Sequence, residues 1–167
     1  MPALNYPAIV VLLTLIVAAN GMPWLLARGC IRRRFAALGA WPIDGGRLLS
    51  DGQPLLGRTK TWRGLAGALL VTPLVAMLLG CDWWLGLAVA AAAMAGDLLA
   101  SFVKRRLGLA SSTDAPGLDQ VPEALLPALA AKAALGLGWF DLAVIVVAFL
   151  LGHLWTMRHI GGAGRSG

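Results

Sequence analysis

Five stretches of the chain are apolar almost throughout: Ala8–Ala27, Gly64–Cys81, Trp83–Ser101, Ala124–Gly138 and Phe140–Met157. A helix needs about 20 mostly apolar residues to cross a bilayer, so the pattern predicts five membrane-spanning helices. The fourth stretch is short and carries Lys132. Turn-like "GCDWW" separates spans two and three, and "GLGWFD" separates spans four and five. Between spans one and two lies a connection of 36 residues, Arg28–Arg63, long for a link between helices. Its segment "WPIDGGRLLSDGQPLLGRTKTWRG" alternates turn dipeptides, Asp44-Gly45 and Asp51-Gly52, with apolar pairs. Such a segment suits short strands or turns at a membrane surface. No internal repeat is evident, and residues 1–167 read as a single all-α integral membrane domain. The small side chains of "AVAAAAMAG" suit close helix packing in lipid.

Composition supports the membrane reading. Only 13% of residues are charged, against roughly 25% in soluble domains. Placement of charge then sets direction. Of the 14 basic residues, 13 fall in Arg28–Arg63, in Lys104–Arg106 or in the tail with Arg158 and Arg165. The positive-inside rule puts these segments in the cytoplasm, with the N-terminus out and the C-terminus in, which requires an odd number of spans. The loops 28–63 and 104–123 therefore face the cytoplasm from the cell (inner) membrane. The net charge of +6 is a topological signal on this reading and does not imply a nucleic-acid partner. No basic residue precedes the first apolar run, which argues against a cleaved signal peptide. Trp24, Trp62, Trp83, Trp84, Trp139 and Trp155 fall at or near span ends, where indole favours the headgroup level. Cys30 and Cys81 offer neither a metal spacing nor a disulfide framework.

One carboxylate sits where a lipid-facing helix has no use for it. Asp97 lies roughly 21 Å along the third span from Trp83, still within the apolar layer. At 100° per residue it shares a helix face with Ser101, Lys104 and Arg105. Ionisable groups at such depth face a partner or a watery cavity; the alternative is an ion pair that only stabilises the helix. Asp119, in the turn "PGLDQVP", reads either as a turn or N-cap residue or as a second functional acid. Asp44 and Asp51, each before glycine, read as turn residues when taken alone. In "RTKTWRG", Arg58, Lys60 and Arg63 stand beside two threonines, a cluster able to hold phosphate oxygens or simply to mark the inner face. Arg32–Arg34 suit topology or attraction to anionic lipid. Lys132 has room to snorkel or pair, Asn20 with Pro23 to break span one, and His153 and His159 have no partner pattern. Carboxylates with substrate phosphates hold Mg²⁺, and lysine and arginine bind polyphosphate. Both kinds collect at one membrane face, which suggests a reaction joining a nucleotide to a lipid phosphate.

The blocks "NGMPWLL", "WPIDGGRLLSDGQPLLGRTKTWRG", "GDLLASFVKRRLGL" and "PGLDQVP", in that order, resemble the CDP-archaeol synthase family, integral membrane CTP transferases distantly related to CDP-diacylglycerol synthases. The resemblance runs from about Asn20 to Pro127. It implies a five-helix membrane fold with a cytoplasmic nucleotide pocket, in which CTP and a lipid phosphate give a CDP-lipid and pyrophosphate with Mg²⁺. It implies Asp97 and Asp119 as metal-holding carboxylates, and Lys60, Arg63, Lys104 and Arg105 as phosphate ligands, Lys104 among the catalytic groups. It also implies Asp44 and Asp51 as residues shaping the nucleotide site. Arg58 departs from the acidic or small residue usual before "KTWRG", and "ASSTDAP" replaces a more glycine-rich linker. The acceptor the resemblance implies is a lipid phosphate, either a phosphatidic acid or its ether-lipid analogue. Two other readings stay open at this point: a CTP-dependent lipid or prenol kinase, and a non-catalytic protein whose basic loops bind anionic membrane lipids.

Overall fold

Asn5 opens the first helix by accepting a hydrogen bond from the backbone of Ala8 at 3.3 Å, satisfying one of the free N–H groups at a helix start. The computed structural model describes residues 4–27, 41–110, 113 and 115–160. Five helices are described: α1 Tyr6–Ala27, α2 Trp62–Leu78, α3 Trp83–Arg106, α4 Gln120–Ala131 and α5 Trp139–Ile160. No strand occurs among the described residues, and α1 touches each of the other four helices.

The boundaries follow local chemistry. Thr61 caps α2 by accepting from Gly64 N at 3.3 Å. α2 stops at Gly80, whose φ of +75° disfavours a side chain. Cys81 N then bonds back to Ala76 O at 2.9 Å. α3 runs five residues past its expected end at Ser101 and closes at Gly108, so Lys104, Arg105 and Arg106 belong to its last turn. Cations there complement the helix dipole. Pro23 lies inside α1, which continues to Ala27, so the expected break at Asn20 and Pro23 does not end the helix.

Among the described residues, three helices are long and apolar enough to cross a membrane: Tyr6–Pro23, Trp83–Arg106 and Trp139–His159. α2 is shorter, and α4, with 12 residues, falls short of the expected span Ala124–Gly138. At 1.5 Å per residue α4 rises only about 18 Å. The remainder of that stretch is the turn closed by Leu137 N on Lys132 O at 2.9 Å. The outward surface is that of an integral membrane protein: Leu70, Leu74 and Leu78 on α2 and Val147, Leu151 and Trp155 on α5 are exposed. Trp62, Trp83, Trp84 and Trp139 are exposed at helix starts, as aromatic belts require. The side chain of Trp24 and all of Arg28–Arg34, Cys30 included, lie outside the described residues.

Inside, Leu12, Leu15 and Ile16 of α1 meet Val89 of α3, Ala128 and Ala131 of α4, and Leu142 and Ile145 of α5. The alanine-rich stretch packs as expected, Ala90 and Ala93 being fully buried. Gly86 and Gly96 bring backbones together: a Cβ on Gly86 would lie 2.6 Å from Pro73 Cα, and one on Gly96 would lie 2.3 Å from Pro122 O. The second approach docks the start of α4 against α3 one residue before Asp97. At the opposite end, Asn5 ties α1 to Leu135 O and Asp141, each at 3.2 Å. Lys132 stacks over Trp139 at 4.8 Å, pairing as a cation on a ring. His159 binds Trp155 O at 2.9 Å, an intrahelical role.

Candidate active site

The connection into α2 folds back on itself. Ile43 N donates to Lys60 O at 2.8 Å and Trp62 N to Trp41 O at 3.2 Å, while Leu48 and Pro54 form a second antiparallel bridge. These are the turns and pairings expected of "WPIDGGRLLSDGQPLL". The closed base holds Lys60 next to α3. Lys60 Nζ lies 2.5 Å from Asp97 Oδ1.

Two helical turns further along α3 a second pair forms. Lys104 Nζ lies 2.8 Å from Asp119 Oδ1 and 3.0 Å from Oδ2, and also donates to Thr113 O at 3.3 Å. Ser101, Lys104 and Arg105 are buried, as their shared face with Asp97 requires. Asp119 stands at the N-cap position of α4 but makes no cap hydrogen bond. Its Oδ2 accepts from Ala115 N at 3.2 Å, and its carboxylate is committed to Lys104. The turn-residue alternative for Asp119 thus covers only part of what it does.

Glu123 was not marked by the sequence. The close approach at Gly96 sets its carboxyl within hydrogen-bonding reach of Asp97 and within electrostatic range of Lys60 and Asp119. The available signal was its position four residues after Asp119, one turn on along α4. Neighbouring carboxylates repel unless a proton or a cation compensates.

Around Lys60 and Asp97 opens a small cleft. Pro23, Ile43, Leu65, Met94 and Leu98 give it an apolar wall, and Thr59, Lys60, Thr61 and Asp97 a polar one. Arg63, in the first turn of α2, has buried Nε and Nη1 atoms with no acceptor among the described residues. A second cleft in the loop is lined by Asp44, Gly46, Leu48, Pro54, Gly57 and Arg58.

Asp44 and Asp51 serve the loop itself. Asp44 accepts from Leu56 N at 2.9 Å, Gly57 N at 3.0 Å and Gly46 N at 3.0 Å. Burial opposes its charge, but the N–H groups of Gly57, Leu56 and Gly46 prevail and hold its carboxyl below the usual value. Asp51 accepts from Gln53 N at 3.0 Å and from Arg106 Nη1 at 2.6 Å. The Gln53 N–H lowers its carboxyl and, after burial acting the other way, Arg106 lowers it further. Arg106 also reaches Pro54 O at 2.8 Å and Gln53 O at 3.4 Å, strapping the loop to the end of α3. In sequence it was the one of three adjacent cations off the helix face shared by Asp97, Lys104 and Arg105, with no partner indicated.

The structure thus brings Lys60, Asp97, Lys104 and Asp119 together with Glu123, and sets Asp51 with Arg106 at the rim. Among the described residues no three His, Cys, Asp or Glu side chains converge in a ready-made metal cage. The donors present still fit a hard cation. They are all carboxylate oxygens, and Mg²⁺ is commonly held by one or two carboxylates with waters and substrate phosphates.

The chain matches a family model described as CarS-like, CDP-archaeol synthase, over residues 12–82 and 81–161. It is 40% identical over 111 residues to a CDP-archaeol synthase of Hyperthermus butylicus, covering 63% of this chain and 60% of that protein. It is 35% identical over 158 residues to that of Natronomonas pharaonis, covering 77% of this chain and 83% of that protein. A solved structure described as an intramembrane enzyme for archaeal membrane lipids biosynthesis superposes with a TM-score of 0.68 at 34% identity, covering 88% of this chain and 90% of that one.

Proposed function

Because this chain belongs to the CDP-archaeol synthase family, we propose that it transfers a cytidylyl group from CTP to a lipid phosphate, giving a CDP-lipid and pyrophosphate. The observation that carries this reading is the pairing of Lys60 with Asp97 and Lys104 with Asp119 beside a cleft that is apolar on one wall and polar on the other. A polyphosphate needs the cations, and an acyl or prenyl chain needs the apolar wall.

The nucleophile is an oxygen of the lipid phosphate, attacking the α-phosphorus of CTP. A phosphate monoester is already largely anionic at neutral pH, so no general base is required. That accounts for a site without a histidine. The task left to the protein is positioning and charge neutralisation. Lys60, Lys104 and Arg105 bind the phosphates, and the unsatisfied donors of Arg63 await an anion of that kind. Asp44 keeps the loop folded over its own cleft, where Arg58 contributes a further cation. Asp97 and Asp119, with Glu123 adjacent, would hold Mg²⁺, which would supply charge neutralisation for the departing pyrophosphate.

In the membrane, the full reading has all five helices embedded, with the N-terminus outside, the C-terminus inside and the site facing the cytoplasm. The basic loop 28–63, the inner ends of α3 and α5 and the Trp-lined helix starts support it. The two short helices pack against the long ones, α4 against α3 and α2 against α1 and α3.

Detergent-purified protein given labelled CTP, Mg²⁺ and either phosphatidic acid or its ether-lipid analogue is expected to form labelled CDP-lipid and release pyrophosphate. Release of CDP in its place identifies a kinase. Asp97→Asn and Asp119→Asn should each lower turnover by at least about a hundredfold, in the range of losing charge stabilisation in a transition state. Wild-type turnover in both variants removes the metal assignment.

A further inference from the structure

We propose that Lys60 and Lys104 are exchangeable counterions: they hold the two aspartates at rest, then pass to the phosphates as the nucleotide arrives with its divalent cation. The proposal rests on the cytidylyl-transfer reading and adds how the site is loaded.

The ammonium groups occupy the carboxylate oxygens that a divalent cation would need. Lys60 Nζ is 2.5 Å from Asp97 Oδ1, and Lys104 Nζ is 2.8 Å and 3.0 Å from the two oxygens of Asp119. The side chains are 21% and 20% exposed in the first pair and 10% and 15% in the second. At that burial, separating one partner leaves the other uncompensated, which is more costly than keeping the pair.

The consequence for ligands is unequal. A cation arriving alone at Asp97 expels Lys60 into a partly dry cleft, where the acid within its range, Glu123, is drawn to the same cation. A polyphosphate arriving alone takes Lys60 and leaves Asp97 beside Glu123 with no cation between them. A cation–nucleotide complex offers a positive partner to each carboxylate and a negative one to each lysine, so all four groups end paired. Lysine suits the exchange because it is a compact charge on a flexible stem. Arg106, forked across Asp51 and two carbonyls, is fixed by comparison. The site should therefore bind cation and CTP with positive coupling, the same factor in each direction.

Mn²⁺, a hard cation that carboxylates accept much as they do Mg²⁺, reports this without turnover. Its binding to detergent-purified protein is measured by electron paramagnetic resonance, and CTP affinity by calorimetry. Lys60→Met is expected to tighten Mn²⁺ binding in the absence of nucleotide by about tenfold, within the usual range of coupling between sites, and to weaken CTP binding. Adding Asp97→Asn should abolish the gain. Mn²⁺ binding no tighter in folded Lys60→Met than in wild type overturns the proposal. Lys104→Met repeats the test at the second pair. Should both single variants fail to fold, wild-type protein decides: Mn²⁺ bound as tightly alone as with a non-reactive CTP analogue refutes the exchange. CDP-lipid formation by the wild type separates the two levels. If it occurs without the Mn²⁺ gain in Lys60→Met, only the exchange fails; if it does not occur with either acceptor, the function fails.

Discussion

Gly96 lends its missing side chain to a neighbour. A Cβ there would stand 2.3 Å from Pro122 O, 2.6 Å from Pro122 C and 2.9 Å from Glu123 N, all backbone atoms that cannot swing aside. Gly96→Ala must therefore push α3 and α4 apart where Asp97 meets Glu123. Overpacking of this kind costs about 1–3 kcal/mol, and a misplacement of about 1 Å at a reacting centre can cost a hundredfold in rate. We expect Gly96→Ala to lower the melting temperature modestly and kcat far more. Gly152 in α5 has nothing within 4 Å of its absent side chain. Gly152→Ala should leave both properties near wild type, and equal losses in the two variants would show that Gly96 has no special place.

At the scale of elements, α3 does two jobs at its last turn. Its inward face carries Lys104 and Arg105, and its rim carries Arg106, which makes three contacts to the loop. Among the described residues, Lys60 and the base of the loop tie it to the helices as well. Arg106→Ala should free the Asp51–Pro54 segment and raise KM for CTP several-fold with little change in kcat. A lysine at 106 should not restore it, because one ammonium cannot span a carboxylate and two carbonyls as a planar fork does. Steady-state kinetics with limited proteolysis of the loop checks this. A drop in kcat with KM unchanged would place Arg106 in the chemistry and remove it from loop support.

For the whole molecule the question is which end of the bundle meets the cytoplasm. Cys81, in the turn between α2 and α3, is partly exposed and free, and lies at the end opposite Lys60 and Lys104. In a Cys30→Ala background, a membrane-impermeant maleimide added to intact cells should label Cys81. Labelling only after the cells are opened would invert the topology and put the nucleotide site outside, away from CTP. The same end-to-end polarity explains the division of labour. Apolar packing of Leu12, Leu15, Ile16 and Ile145 and the Asn5–Asp141 tie anchor one end, and charge pairing organises the other.

The sequence by itself determined that five apolar segments form helices, that basic residues mark one end and that Asp97 stands out on α3. Each follows from properties readable one segment at a time: hydropathy, the positive-inside bias and a 100° helical period. It also pointed to Lys60, Lys104 and Asp119 as candidates without saying which lysine meets which acid. Only tertiary structure decided that Lys60 takes Asp97, that Lys104 takes Asp119, that Arg106 belongs to the loop and that Glu123 joins the acids. It also shortened the fourth apolar segment to a 12-residue helix followed by a turn. The reason is physical. Three adjacent cations differ by 100° in direction and are alike in composition, so their partners depend on what packs against each face. For Lys104 that is the start of α4, docked where Gly96 meets the Pro122 carbonyl, a contact between residues 26 positions apart; for Arg106 it is the loop.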